Sequence, residues 1–317
     1  MRRIEPLTLA DVRTARARIA STVTRTPLVR LHVDAPAEIY LKLETLQPIG
    51  SFKLRGATNA IAMLPRGTLV DGVYTASAGN MAQGVAWSAR EMGVRCTVIM
   101  PNSAPRTKID AVARLGAEII YVPYEEWWQT LMEHGRPGVL GTFVHPVADR
   151  NVMAGNGTIG LEIVEDLPDV DAVFVPFGGG GLISGISTAI RALAPNARMI
   201  GCEVETSTPL TAALAAGEPV VVERTPSFVD GIGGRGVLPV MWPIVREAVD
   251  TAVVASLTDV ARSVRLLVER ARVVAEGAGA TPVACALGNH GVRGKIVCVV
   301  SGGNIDLKTL LELLSAW

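Results

Sequence analysis

The sequence predicts an α/β fold with two domains, each a mostly parallel twisted sheet flanked by helices. Three observations carry this. Short β-branched runs alternate with helical patterns along the whole chain. At 317 residues the chain exceeds the size at which one hydrophobic core usually stops growing. A middle block of strand and helix units, about Thr68 to His145, lies between Leu64-Pro65-Arg66-Gly67 and His145-Pro146. The expected division is a large domain from 1–67 and 146–317 and a small mobile domain from 68–145. The N-terminal segment is expected to return and pack on the C-terminal half.

Apolar runs at 39–43, 72–76, 96–100, 118–122, 172–176, 199–204 and 296–301 read as buried parallel strands. Helical patterns fall between them at 52–63, 82–92, 106–114, 157–165, 182–193 and 257–271. Right-handed crossovers are the expectation for such units. Residues 124–140 read as a helix followed by a loop. Adjacent Trp127 and Trp128 cannot face the same core, so one either caps a pocket or packs against the other domain.

Composition excludes several function classes. Hydrophobic residues at 49% and charged residues at 19% give ample material to bury, against disorder. Thirty Lys and Arg balance thirty Asp and Glu, which leaves no electrostatic footprint for nucleic acid or an anionic membrane. Cys96, Cys202, Cys285 and Cys298 show no C-x-x-C spacing and read as buried reduced thiols. The basic N-terminus has no apolar core behind it, so it is not a secretory signal, and no run of about 18 apolar residues suits a membrane span. A cytoplasmic protein acting on small molecules is the expectation.

In α/β sheets ligands bind beyond the carboxyl ends of the strands. Four strand-to-helix turns there are unusual. Gln47-Pro48-Ile49-Gly50-Ser51-Phe52-Lys53 opens a helix, with Ser51 as candidate N-cap and Lys53 in the first turn. The positive end of the helix dipole, with burial, depresses an amine there and favours imine formation. Ser77-Ala78-Gly79-Asn80-Met81 ends a strand with free N–H groups and a carboxamide, which suit a carboxylate or a phenolic oxygen. Gly178-Gly179-Gly180-Gly181 precedes Leu182. Four consecutive glycines cost much chain entropy, and their use is close backbone approach to one dianion. Ser301-Gly302-Gly303-Asn304 ends the last strand, where Ser301 can meet a ring nitrogen or cap the last helix. An imine-forming amine, a ring-oxygen partner, a phosphate anchor and a pyridine-nitrogen partner are what pyridoxal 5′-phosphate (PLP) needs.

Gly155-Asn156-Gly157-Thr158-Ile159-Gly160 and Gly231-Ile232-Gly233-Gly234-Arg235-Gly236 fit the dinucleotide fingerprint by letter only. Neither follows a convincing strand, and neither leads to the acidic strand end that motif needs. No Gly-Lys-Ser/Thr makes a P-loop.

The ordered motifs resemble those of fold-type II PLP enzymes, specifically the threonine dehydratase and serine racemase branch, from about Thr26 to Asp306. Ser51-Phe52-Lys53-Leu54-Arg55-Gly56-Ala57 resembles that branch's S-F-K-x-R-G-A, with Lys53 at the Schiff-base position. Ser77-Ala78-Gly79-Asn80 resembles its turn for the substrate carboxylate and the cofactor 3′-oxygen. Gly178–Gly181 resemble its phosphate-binding glycines, and Ser301–Asn304 its terminal S-G-G-N. Asp230-Gly231 and Glu276-Gly277-Ala278-Gly279 resemble its D-G and E-x-x-G segments. The resemblance implies cofactor contacts from Phe52, Lys53, Asn80, Gly178, Gly179, Gly180, Gly181, Leu182, Glu276 and Ser301. Substrate contacts are implied for Ser77, Ala78, Gly79, Asn80 and Met81, and a homodimer is expected.

Three departures bear on function. Met81 stands where the family usually has His, which suggests a larger or more apolar substrate side chain. Ala78 replaces the serine that racemases use on the opposite face, which favours elimination. Glu203 is a weak candidate ligand for the family's activating cation, but Pro209 stands at the second acid's position, so no metal is expected. The chain ends soon after Asn304, as in catabolic rather than feedback-regulated threonine dehydratases.

The implied reaction is β-elimination from a β-hydroxy-α-amino acid such as L-threonine or L-serine, giving a 2-oxo acid and ammonia. Lys53 is the general base, the PLP phosphate protonates the leaving hydroxyl, and a neutral Ser301 leaves the ring nitrogen unprotonated. Alternatives are a bulkier substrate such as phenylserine, serine racemase-like or β-replacement chemistry, and a ligand-binding protein without turnover. An acidic substrate such as 3-hydroxyaspartate would want an extra pocket cation, and the sequence places none.

Overall fold

The computed structural model describes residues 3–104, 106–288 and 290–315. Its strands are β1 (Leu28–Leu31), β2 (Ala37–Leu43), β3 (Val73–Ala76), β4 (Cys96–Pro101), β5 (Glu118–Val122), β6 (Thr142–Phe143), β7 (Ala172–Pro176), β8 (Arg198–Val204), β9 (Thr251–Ala255) and β10 (Gly294–Val300). Its α-helices are α1 (Leu9–Ile19), α2 (Lys53–Ala62), α3 (Asn80–Glu91), α4 (Arg106–Ala113), α5 (Tyr124–Met132), α6 (Arg150–Asp166), α7 (Gly181–Leu193), α8 (Pro209–Ala216), α9 (Trp242–Ala248), α10 (Leu257–Leu266), α11 (Gly277–Leu287) and α12 (Leu307–Ser315).

Two sheets result. One runs β1-β2-β10-β7-β8-β9 and the other β5-β4-β3-β6. Among the described residues β1 alone is an antiparallel strand, pairing Leu28 with Lys42; every other strand-to-strand pairing is parallel. A sheet buried on both faces is written as near-continuous apolar runs. Accordingly β7 is buried at all five positions, and separate apolar clusters cover the two faces of the larger sheet. The N-terminal β2 joins the C-terminal β10 from Ala37 against Gly294 to Leu43 against Val300. That pairing brings the ends of two distant strands side by side.

The seven expected strands are present within two residues at either end. β1, β6 and β9, and helices α1, α8, α9, α11 and α12, were not read from the sequence. Three boundaries differ for physical reasons. The expected 157–165 helix begins earlier, at Arg150, because the Asp149 carboxylate caps it by accepting from the Asn151 and Val152 amides. The expected 257–271 helix keeps α geometry only to Leu266 and finishes as a π turn, Leu267–Ala271, before Arg272 enters the left-handed region at φ 59°. Ser51 is not the N-cap of α2. Phe52 holds that position, and the Ser51 hydroxyl instead accepts from the Lys53 amide at 3.3 Å.

The glycines at 155, 157 and 160 lie inside α6 and serve helix packing. A Cβ on them would stand 2.4 Å from the Arg55 carbonyl, 2.7 Å from that of Gly185 and 2.7 Å from that of Ile186. Closeness of α6 to α2 and α7 is therefore what this glycine spacing encodes.

A buried charge cluster ties α2 to the larger sheet. Arg55 is fully buried and donates to Glu44 at 2.8 Å and to Glu162 at 2.6 and 2.9 Å. Lys42 pairs with Glu162 at 2.5 Å and donates to the Thr26 carbonyl at 2.6 Å. Two cations and two carboxylates with such partners satisfy the condition for burying charge.

Candidate active site

The four turns meet because strand ends meet. The amide of Phe52 donates to the Ser301 carbonyl at 3.0 Å, and Gly303 donates to Gly50 at 2.9 Å. An antiparallel bridge joins Ser51 to Gly302. The Glu276 amide donates to Gly302 at 3.0 Å. A Cβ on Gly279 would stand 2.4 Å from the Gly302 carbonyl, so α11 also requires a glycine here. This lacing puts Lys53, Ser301 and Glu276 on one wall.

A cavity of about 330 Å³ opens between the two sheets' helices. Phe52, Lys53, Glu276 and Ser301 line it, as do all five residues of the Ser77–Met81 turn. Gly178, Gly179, Gly180, Gly181 and Leu182 line it from the other side. Every residue singled out in the sequence for cofactor or substrate thus borders one space.

Lys53 Nζ lies 5.1 Å from the centre of the Phe52 ring and donates to the Pro146 carbonyl at 2.9 Å. Burial lowers its pKa to about 8, against the opposing pull of Glu276. The loop presenting Pro146 is fixed by His145, whose Nδ1 accepts from the Val147 and Ala148 amides at 3.0 and 2.8 Å.

The glycine run is sterically obligatory at three of its four positions. A Cβ would stand 2.6 Å from the Val147 side chain at Gly179, 2.5 Å from Val245 at Gly180 and 2.9 Å from the Val147 carbonyl at Gly181. Gly180 also has φ 88° and forms the N-cap of α7 without a side-chain cap. The first-turn amides of α7 therefore have no side-chain acceptor from their own cap, an arrangement suited to an anion.

Asn80 opens α3. Its Nδ2 donates to Glu276 Oε1 at 2.7 Å, and its Oδ1 accepts from Asn304 Nδ2 at 2.8 Å. Burial, then the nearby Asp230 carboxylate, pushes the Glu276 pKa up to about 7. Met81 borders the cavity but is only 2% exposed, and most of its side chain belongs to the core of the smaller sheet. Trp127 lines the cavity with Leu131, and Trp128 packs in the same apolar cluster with its ring centre 6.4 Å from that of Trp127, so the two adjacent rings share one core, against the expectation.

Glu203, the weak metal candidate, caps α8. Its carboxylate accepts from the Leu210 and Thr211 amides at 2.7 and 2.8 Å and from the Thr211 hydroxyl at 2.6 Å. Those bonds occupy the carboxylate. The four cysteines are all buried and free.

Sequence reasoning missed Lys108. It stands on α4, lines the cavity, and forms an ion pair with Asp230 from the loop before α9. In the sequence it is one more charge on an amphipathic helix, with no signal to set it apart. The pocket cation that could not be placed is therefore present.

This cavity suits a guest with a dianion at one end and a carbonyl carbon for an amine at the other. An enzyme built around pyridoxal phosphate is the class that answers to both demands. The chain belongs to the pyridoxal-phosphate dependent enzyme family, which it matches over residues 19–302. It is 42% identical to an L-threonine ammonia-lyase of Thermotoga maritima, over 98% of this chain and 78% of that protein. It is 37% identical to the catabolic L-threonine dehydratase TdcB of Escherichia coli, over 97% of this chain and 96% of that one. The structure of maize serine racemase superposes with a TM-score of 0.88 at 31% identity, covering 97% of each chain.

Proposed function

We propose that this enzyme is an ammonia-lyase. It removes water from a β-hydroxy-α-amino acid such as L-threonine or L-serine, and hydrolysis then gives a 2-oxo acid and ammonia. The observation that carries the reading is the meeting of Lys53 and the Gly178–Gly181 cradle in one cavity. The named relatives support it.

Bound PLP supplies the electron sink that acidifies the substrate α-carbon. Gly178–Gly181 and the α7 N-terminus would hold its phosphate, with Phe52 and Leu182 lining the same cavity. Ser301, a neutral hydroxyl at a strand end, is assigned to the ring nitrogen, and Asn80 to the ring oxygen. The Ser77–Asn80 turn takes the substrate carboxylate. With a pKa near 8, Lys53 is part neutral amine at physiological pH, as a general base at the α-carbon must be. Ala78 offers no proton to the opposite face, which favours elimination over racemisation. In this reading residues 68–145 form a small domain that closes on the site, the active form is a homodimer, and the compartment is the cytoplasm.

A second reading, a bulkier substrate such as phenylserine, is favoured by the apolar wall of Met81, Trp127 and Leu131. A panel of threonine, serine and phenylserine assayed for 2-oxo acid release separates the two. The lyase reading fails if no member releases an oxo acid without an added nucleophile. In Lys53→Ala the visible absorbance of the lysine-bound cofactor disappears and turnover falls by at least about 10²- to 10⁴-fold.

A further inference from the structure

Four charged side chains line the cavity: Lys53 and Lys108, Asp230 and Glu276. Lys53 is assigned to chemistry, and the Ser77–Asn80 turn to the α-carboxylate. Among the described residues lining the cavity, Lys108 is then the cation left to greet a second carboxylate. It is not available. Its ammonium is paired with Asp230, the two side chains being 25% and 44% exposed. The pair links α4 of the smaller sheet to the loop before α9, and that loop borders the Gly178 cradle through Gly231 and Ile232.

We infer that the Lys108–Asp230 pair is a specificity device. Asp230 occupies Lys108 and so rejects acidic amino acids, leaving neutral β-hydroxy amino acids as substrates. The inference deepens the lyase reading and rests on it. A substrate bearing a side-chain carboxylate meets Asp230 without a free counter-charge, and like charges in a partly dehydrated site repel. A neutral side chain meets no such cost. Discrimination here works through an element that repels the wrong ligand. Because both partners are partly exposed, the effect is moderate and screened by salt.

The test uses PLP-loaded wild-type enzyme, Asp230→Asn, Asp230→Ser, Lys108→Gln and the double variant Asp230→Asn/Lys108→Gln. Two quantities are read at low ionic strength. One is kcat/KM for L-threonine and for L-threo-3-hydroxyaspartate. The other is the calorimetric Kd of L-aspartate, which has no β-hydroxyl to lose. Neutralising Asp230 raises the hydroxyaspartate-to-threonine ratio about three- to five-fold, mainly through KM, and tightens L-aspartate in parallel. Both gains disappear in the double variant, and Lys108→Gln alone shows neither. An unchanged ratio and an unchanged L-aspartate Kd in both Asp230 variants overturn the inference. So does a gain that survives in the double variant, because another group then reads the carboxylate. Failure of the wild type to release an oxo acid from threonine, serine or phenylserine overturns the lyase reading instead, and L-aspartate binding still reports on the pair.

Discussion

Asn80 Nδ2 lies 2.7 Å from Glu276 Oε1, so the residue that opens α3 donates to the N-cap residue of α11. The bond crosses from the smaller sheet's helices to the larger sheet's. The carboxylate it meets is buried beside the negatively charged Asp230, which is why Glu276 holds its proton to about pH 7 rather than its ordinary 4.5.

That displacement makes stability depend on pH with a definite sign. The folded protein binds a proton at Glu276 between about pH 4.5 and 7 where the unfolded chain does not. Cofactor-free enzyme therefore loses stability as pH rises through this window, by on the order of 2 to 3 kcal/mol. Lys53 acts at higher pH, because its folded value of about 8 lies below its ordinary 10.5. There the unfolded chain binds the extra proton, and stability is regained from about pH 8 to 10.5. Denaturant titrations from pH 4.5 to 10.5 are expected to give a shallow minimum near pH 7 to 8. Glu276→Gln is expected to flatten its acid side only. An unchanged acid limb in that variant would place the titration elsewhere.

Gly180 combines φ 88° with a Cβ position 2.5 Å from a Val245 methyl group. Gly180→Ala must both occupy a left-handed conformation and move Val245, at a cost of about 1 to 3 kcal/mol. The rotated peptide also spoils the anion cradle. Weaker PLP retention on dialysis, with a lower Tm even without cofactor, is expected. Gly178→Ala is the control, since its nearest neighbour would lie 3.7 Å away. It is expected to retain normal stability.

Met81 differs from the family's usual His, and it borders the cavity with only 2% of its surface exposed. It therefore presents only one edge to the cavity. Met81→His is expected to shift the kcat/KM ranking towards serine and threonine and away from phenylserine by a few-fold. It also loses stability by about 1 to 3 kcal/mol, because a polar ring enters the core of the smaller sheet. An unchanged ranking would make Met81 a packing residue only.

Most of this architecture was legible because parallel strands buried on both faces are written as continuous apolar runs. Residues 172–176 and 118–122 have the same bounds in sequence and structure. The elements that were missed are those whose pattern is interrupted. Helix α11 contains Gly277, Gly279 and an internal Pro282, and its helicity is imposed by burial against the larger sheet. β6 has two residues and β1 four, too short for a period to register. The residues around the cavity were found because glycine runs and strand-end serines carry a local signature. Lys108 has none: only the packing of α4 against a distant loop makes it a wall of the site. Glu203 shows the converse, a carboxylate whose place in a family pattern suggested a cation but whose surroundings offer it amides.

Lys53 begins the helix that Arg55 anchors to the larger sheet. Arg55 lies two residues further along α2 and is enclosed by Glu44 and Glu162, both themselves buried. The arginine keeps its charge, and Glu44 is held below the usual carboxylate range, with burial opposing Arg55 and Thr26. Replacing Arg55 by Met leaves two buried carboxylates facing Lys42 alone. Removing one partner of such a cluster costs about 3 to 5 kcal/mol, far more than the pairing itself contributes. Urea denaturation of Arg55→Met is expected to show that loss. Because α2 begins at Lys53, the visible absorbance of the bound cofactor is expected to broaden as well. Adding Glu44→Gln removes the excess charge and should recover part of the stability, since the Thr26 hydroxyl can still donate to the amide oxygen that remains. No recovery in the double variant would mean that Arg55 stabilises through packing of its long side chain and not through charge.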